Sequence, residues 1–202
     1  MTVWLLSTDA VTEADASALR VQFPQRYARA ERMKRPEARL RSLAATLLLR
    51  DALALRDEAQ LRYGPQGKPF LPGGPAFSLS HSGAFAALAV DAHPVGLDLE
   101  RVEPARMRAI RRVCTPEELD WAGEDPLRTF RLWTWKEAVM KATGLGFALA
   151  PESFSALPFV IGGAVETAGG VWYAGSADVQ GHALAVCSSH PVITPELRRL
   201  RT

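Results

Sequence analysis

The sequence predicts an α+β (α/β) fold of two pseudo-twofold-related subdomains, each with helices packed on a small, mainly antiparallel three-stranded sheet. Two observations predict it. A helical stripe, Leu40, Leu43, Ala44, Leu47, Leu48 and Ala52, repeats at three and four residues and is followed by three short strand patterns. The same order, one helix and then three strands, recurs in the second half of the chain. The halves share element order and negligible identity, and the junction falls near Arg101 to Pro104, dividing residues 1–101 from 102–202.

Val3 to Ser7 opens as a short apolar strand, and a polar helical segment follows near Glu13 to Val21. From Pro36 the stripe above marks a buried helix, with Arg41 early on it and beside the apolar face. Tyr63 to Pro75 is rich in glycine and proline and reads as an ordered loop. Ala76 to Ser80, Phe85 to Val90 and Val95 to Glu100 are strand candidates. The last, VGLDLE, alternates apolar and acidic residues, as a strand with one dry and one wet face does.

In the second half, Thr115-Pro116-Glu117-Glu118 carries a helix start with Thr as cap and Glu118 at the capping-box position. Asp125-Pro126 opens a longer helix that Gly144 ends. Ser153 to Phe159, Val171 to Val179 and His182 to Ser188 are its three strand candidates, and LRRLR closes the chain as a basic tail.

Composition excludes several classes. With 48% hydrophobic and 23% charged residues in 202, the chain has material for a folded core. The apolar run Ala84 to Val90 is too short to span a bilayer. MTVWLLSTDA lacks a basic leader, so a cytoplasmic protein without signal peptide is expected. Cys114 and Cys187 lack metal-ligand spacing and read as small buried hydrophobes in a reducing compartment. Between Arg20 and Arg56 ten basic residues face three acidic ones. Such a one-sign surface attracts phosphates or an acidic partner. It carries no aromatic interleaving or nucleic-acid reading motif, so neither a nucleic-acid nor a membrane partner is expected.

Four constellations carry chemistry. Asp98 and Glu100 lie on one face of a strand, about 6 to 7 Å apart, a spacing that suits a Mg²⁺ taking its other ligands from phosphate and water. Phe77 to Gly83, FSLSHSG, runs a strand into a hydroxyl-rich turn where Ser80 and His81 meet backbone N–H groups. A Ser/His hydrolase is disfavoured because adjacent strand residues point to opposite faces. Gly67-Lys68-Pro69-Phe70 resembles the end of a P-loop but lacks its glycine spacing and following hydroxyl. Glu137 and Lys141, four apart on the long helix, share one surface with Trp133 a turn earlier.

In order and spacing, GKPF (67 to 70), FSLSHSG (77 to 83), GLDLE (96 to 100) and WTWKEAVMKATGLG (133 to 146) resemble the 4'-phosphopantetheinyl transferases of the Sfp type, with RSLAATLLLR (41 to 50) extending the similarity upstream. The resemblance implies transfer of the phosphopantetheine arm of coenzyme A to a serine of an apo acyl or peptidyl carrier protein, releasing adenosine 3',5'-bisphosphate. It implies Asp98, Glu100 and Glu137 as ligands of Mg²⁺, with Mn²⁺ as an alternative ion, and Lys141 as a cationic partner of the pyrophosphate. It implies Arg41 and His81 at the 3'-phosphate, and Ser80 and the Lys68 loop beside the adenine and pyrophosphate. The catalytic set expected is Glu137, Lys141 and Asp98, with Glu137 the preferred base. Glu118 falls where the family has an F-T-x-x-E element, but Cys114 replaces the phenylalanine and the capping box explains Glu118 equally well. The family's cofactor sits between the two halves, so a monomer is expected to hold a whole site. A noncatalytic coenzyme A or nucleotide-binding module of the same fold is the alternative.

Overall fold

In the computed structural model, which describes residues 1–191 and 195–201, two long helices each cover one sheet. The chain begins with β1 (Thr2–Ser7), α1 (Glu13–Gln22), α2 (Pro24–Glu31) and α3 (Pro36–Ala52). A two-stranded flap, β2 (Arg62–Tyr63) and β3 (Pro69–Phe70), precedes β4 (Ala76–Ser82), β5 (Phe85–Asp91) and β6 (Val95–Arg101). Then come α4 (Met107–Ile110), α5 (Pro116–Ala122) and α6 (Pro126–Thr143), followed by β7 (Ala164–Thr167), β8 (Gly170–Val179), β9 (His182–Ser188) and β10 (Glu196–Arg199). The helix starts follow the sequence signals. Thr115 and Glu118 form a reciprocal capping box on α5, Asp125 caps α6, and Gly144 ends α6 in the left-handed region at φ 73°.

Two α+β units of helices on a sheet are present as expected, with four strands in each sheet rather than three. The first has the order β10-β1-β5-β4 and the second β6-β9-β8-β7. The added strands are β7 and β10. The latter is the basic tail, which pairs in parallel with β1 from Thr2↔Glu196 to Leu5↔Arg199. The expected strand Ser153 to Phe159 is instead a pair of 3₁₀ turns, Pro151–Ser153 and Leu157–Ile161. Pro151 and Pro158 fix φ and remove the N–H groups a ladder needs. Chain order and sheet membership cross at the junction, since β6 pairs with β9 and β10 returns to β1.

Strand alternation explains the layering. On β5, Ala86 and Leu88 face α3, packing with Leu43, Leu47 and Phe77. Phe85, Ala87 and Ala89 face the other way and meet Val3, Leu97, Leu99, Leu184 and Val186 in a core shared by the two sheets. Ala185 and Cys187 of β9 turn back toward α6, where Leu132, Trp135 and Val139 form a third core with Trp172. On β6, Leu97 and Leu99 therefore serve the shared core, while Gly96, Asp98 and Glu100 lie on the face toward α6. Among the described residues no helix is long and apolar enough to cross a membrane.

Candidate active site

The site starts from a close crossing of α6 over β6. A Cβ built on Gly96 would lie 1.8 Å from the Ala138 carbonyl oxygen and 2.6 Å from the Ala142 nitrogen. Only a residue without a side chain lets strand and helix backbones approach this far. That approach brings Lys141 to the β6 carboxylates. Its Nζ donates to Asp98 Oδ1 at 2.7 Å and to Ser80 Oγ at 3.2 Å, and Ser80 Oγ donates to the same Asp98 oxygen at 2.8 Å. Asp98 is 4% exposed and its Oδ2 is buried without a hydrogen-bond partner.

Strand β4 meets β6 through side chains. Ser78 Oγ accepts the Leu97 N–H at 3.0 Å. Ser82 Oγ accepts the Arg101 N–H at 3.0 Å and donates to Glu100 Oε2 at 2.8 Å. With Ser80 between them, alternate serines of FSLSHS form a hydroxyl seam joining the edges of the two sheets, and two of the three also hold the carboxylates. Arg106 grips Glu100 as well, with Nη1 at 2.9 Å from Oε2 and Nη2 at 3.4 Å from Oε1.

A cavity of about 760 Å³ opens beside this seam. Asp98, Glu100, Glu137, Lys141, Ser80, His81 and Lys68 all face it. Lys68 Nζ donates to the carbonyls of Val95 at 2.9 Å and Lys141 at 2.6 Å, which ties the flap to both β6 and α6. Burial, and then the charge of Lys141, lower its pKa to about 8. His81 is an exposed residue of β4, and its imidazole is pushed down by partial desolvation first, with the charges of Arg41, Lys141 and Arg26 adding to it. Arg41 does not line the cavity and donates Nη1 to the Gly83 carbonyl at 3.2 Å.

The cavity also takes in two cations that the sequence left unassigned, Arg26 and Arg29. They stand three apart on α2, and Arg26 Nε donates to Thr46 Oγ1 at 3.1 Å. Pro24 at the first turn was the available signal for this helix. The opposite outcome holds for Glu118. It is fully buried against Lys136, 3.0 Å away, and accepts the Thr115 and Ala156 N–H groups at 2.7 Å each. Glu118 does not line the cavity, and these bonds fix it between α5, α6 and the turn at Ala156.

Electrostatics mark Glu137 among the acids. Its pKa is raised to about 7, by burial first and then by Asp98; Glu100 adds to the rise and Lys141 opposes it. Crowded carboxylates, one with a buried and unpartnered oxygen, fit a hard divalent cation in donor chemistry. Among the described residues, no three His, Cys, Asp or Glu side chains stand close enough to hold such an ion in this arrangement. Lys141 and Arg106 act as counter-cations instead.

Comparison with known proteins bears on the whole arrangement. The family model described as the 4'-phosphopantetheinyl transferase superfamily matches residues 94–187, which include β6, α6 and all but the last residue of β9. A 4'-phosphopantetheinyl transferase of Bacillus subtilis is 35% identical over 127 residues, 57% of this chain and 57% of the relative. The 4'-phosphopantetheinyl transferase Sfp of Bacillus subtilis strain 168 is 28% identical over 184 residues, covering 83% of this chain and 82% of the relative. The 4'-phosphopantetheinyl transferase HetI of Nostoc is 34% identical over 143 residues, 62% and 60% of the two chains. The matched stretch thus spans less than two thirds of the first and third of these relatives. With the motif order, the paired helix-on-sheet units and the β6–α6 crossing, these matches establish that the chain belongs to the 4'-phosphopantetheinyl transferase superfamily.

Proposed function

We propose that the protein is a Mg²⁺-dependent holo-carrier-protein synthase, moving the phosphopantetheine arm of coenzyme A to a serine of an apo acyl or peptidyl carrier protein. The observation that carries this reading is one cavity wall built from Asp98 and Glu100 of β6 and Glu137 and Lys141 of α6. Chain halves 1–101 and 102–202 both contribute, so one monomer would own a complete site, and a cytoplasmic setting suits its substrates.

In the reaction the carrier serine oxygen bonds to the phosphorus that bears the pantetheine arm. The bond from that phosphorus to the leaving oxygen of adenosine 3',5'-bisphosphate breaks. Glu137 takes the serine proton, and its raised pKa of about 7 suits a base working near neutral pH. Lys141 offsets charge on the phosphoryl oxygens. Asp98, Glu100 and Glu137 would hold the Mg²⁺, or Mn²⁺ in its place, which when bound supplies neutralisation of the pyrophosphate charge. Arg41, joined by Arg26 and Arg29, supplies positive charge for the 3'-phosphate, and His81, held neutral by its surroundings, offers an imidazole hydrogen bond. Ser80 and the Lys68 loop border the adenine and pyrophosphate. The exposed cations Arg20, Arg32, Lys34 and Arg35 form a surface suited to an acidic carrier helix.

The test is incubation with coenzyme A, Mg²⁺ and a panel of apo carrier proteins, followed by mass spectrometry. Gain of a phosphopantetheine arm on a carrier is the expected result. Absence of any gain, with tight coenzyme A binding independent of Mg²⁺, would instead identify a noncatalytic binding module. In a working assay, Arg29→Ala should raise KM for coenzyme A more than for the carrier, and Arg32→Glu should do the reverse.

A further inference from the structure

Asp98 and Glu100 face α6 from one strand but are not equally free. Asp98 shares a single oxygen, Oδ1, with Lys141 and Ser80, and leaves Oδ2 without a partner. Glu100 has both oxygens engaged by one guanidinium, and Ser82 shares Oε2. Its cation comes from Arg106, at the end of the 3₁₀ turn Pro104–Arg106 directly after β6. That turn has no side-chain cap, and the arginine side chain is 45% exposed against 18% for Glu100. The guanidinium carbon also lies 5.7 Å from the centroid of the buried Phe130 ring.

We propose that Arg106 is a latch on Glu100, occupying in the ion-free protein the oxygens that a divalent cation needs and yielding them when the ion arrives. This inference rests on the reading of Glu100 as an ion ligand. A cation and a guanidinium cannot both take the same carboxylate lone pairs in the plane of that group. Binding of one therefore displaces the other, and the ion's apparent affinity is reduced by the fraction of molecules in which the latch is closed. A pair whose guanidinium is nearly half exposed to water is weak enough to open without unfolding. The contact with Phe130 belongs to the closed latch, since it is made while the guanidinium holds Glu100. Ser82 differs, because a hydroxyl donating to one oxygen orients Glu100 without neutralising it.

The experiment is a Mn²⁺ titration of the whole protein without coenzyme A, read by loss of the free-ion electron paramagnetic resonance signal. Wild type is compared with Arg106→Gln and Glu100→Gln. The latch predicts that Arg106→Gln binds Mn²⁺ roughly fivefold more tightly, the factor expected for removing a competing ion pair worth about 1 kcal/mol, and that Glu100→Gln binds more weakly than wild type. Affinity unchanged or weakened in Arg106→Gln, with Glu100→Gln impaired, overturns the latch alone. Equal affinity in wild type and Glu100→Gln overturns the ligand reading, and the latch falls with it.

Discussion

Two lysine–carboxylate pairs sit five residues apart on α6, and their difference separates scaffold from site. Lys136 pairs with Glu118 at 3.0 Å, both side chains fully buried. Every strong valence there is filled, since Lys136 Nζ also donates to the carbonyls of Pro151 at 2.7 Å and Phe154 at 2.6 Å, and Glu118 accepts two backbone N–H groups. Lys141 pairs with Asp98 at 2.7 Å, yet one oxygen of that carboxylate is left over and the crowded Glu137 stands beside it on a cavity wall. A saturated pair has nothing to offer a ligand, whereas an unsaturated one keeps coordination capacity at a desolvation cost. The chemistry of the residues is the same in both pairs, and completeness of hydrogen bonding tells them apart.

The comparison breaks first at Glu137. Glu137→Ala should lower turnover by roughly 10³-fold with an unchanged circular dichroism spectrum, because it removes a proton acceptor and not a packing element. Full activity in that variant would remove the site from α6. Next, Glu118→Ala should cost about 3 to 5 kcal/mol in urea unfolding by stranding a buried ammonium, whereas replacing both Glu118 and Lys136 with apolar residues should be far milder. Loss of turnover without loss of stability in Glu118→Ala would erase the distinction.

A third measurement uses pH. Glu137 titrates at about 7 in the folded protein against 4.5 for an ordinary glutamate, so the native state holds this proton more tightly than the unfolded chain. Its contribution to stability is present below 4.5 and is lost as pH rises through about 7. Glu137→Gln keeps the neutral form, so it should match wild type near pH 4 and exceed it by roughly 1 to 3 kcal/mol near pH 8 in ion-free buffer, after allowance for partial solvent exposure. The smallest effect is expected at Ser80→Ala, which removes the hydroxyl that orients Asp98 and should lower kcat/KM by about fivefold, near 1 kcal/mol.

Much of this was legible in the chain. Alternation in VGLDLE fixed which β6 residues face the core, and the four-residue spacing of Glu137 and Lys141 fixed their common helix face. The capping boxes of α1 and α5 follow local rules, and local rules can be read from local sequence. What escaped depends on distant partners. Glu196–Arg199 is a charged tail until β1 offers it an edge, and β6 joins β9 because Leu97 and Leu99 are needed in the core between the sheets. Arg26 and Arg29 sit among many arginines, and only the packing of α2 beside α3 selects these two for the cavity. Ser80 was legible as a polar turn residue, but its bond to Asp98 spans two sheets.

Gly96 has a practical meaning for anyone transplanting this chemistry. Copying three acids and a lysine onto another strand-and-helix pair would leave them too far apart, because an alanine at the crossing already holds the two backbones off by more than a bond length. The quantity to conserve in such a graft is the interaxial distance, and the residue that sets it contributes no functional group at all.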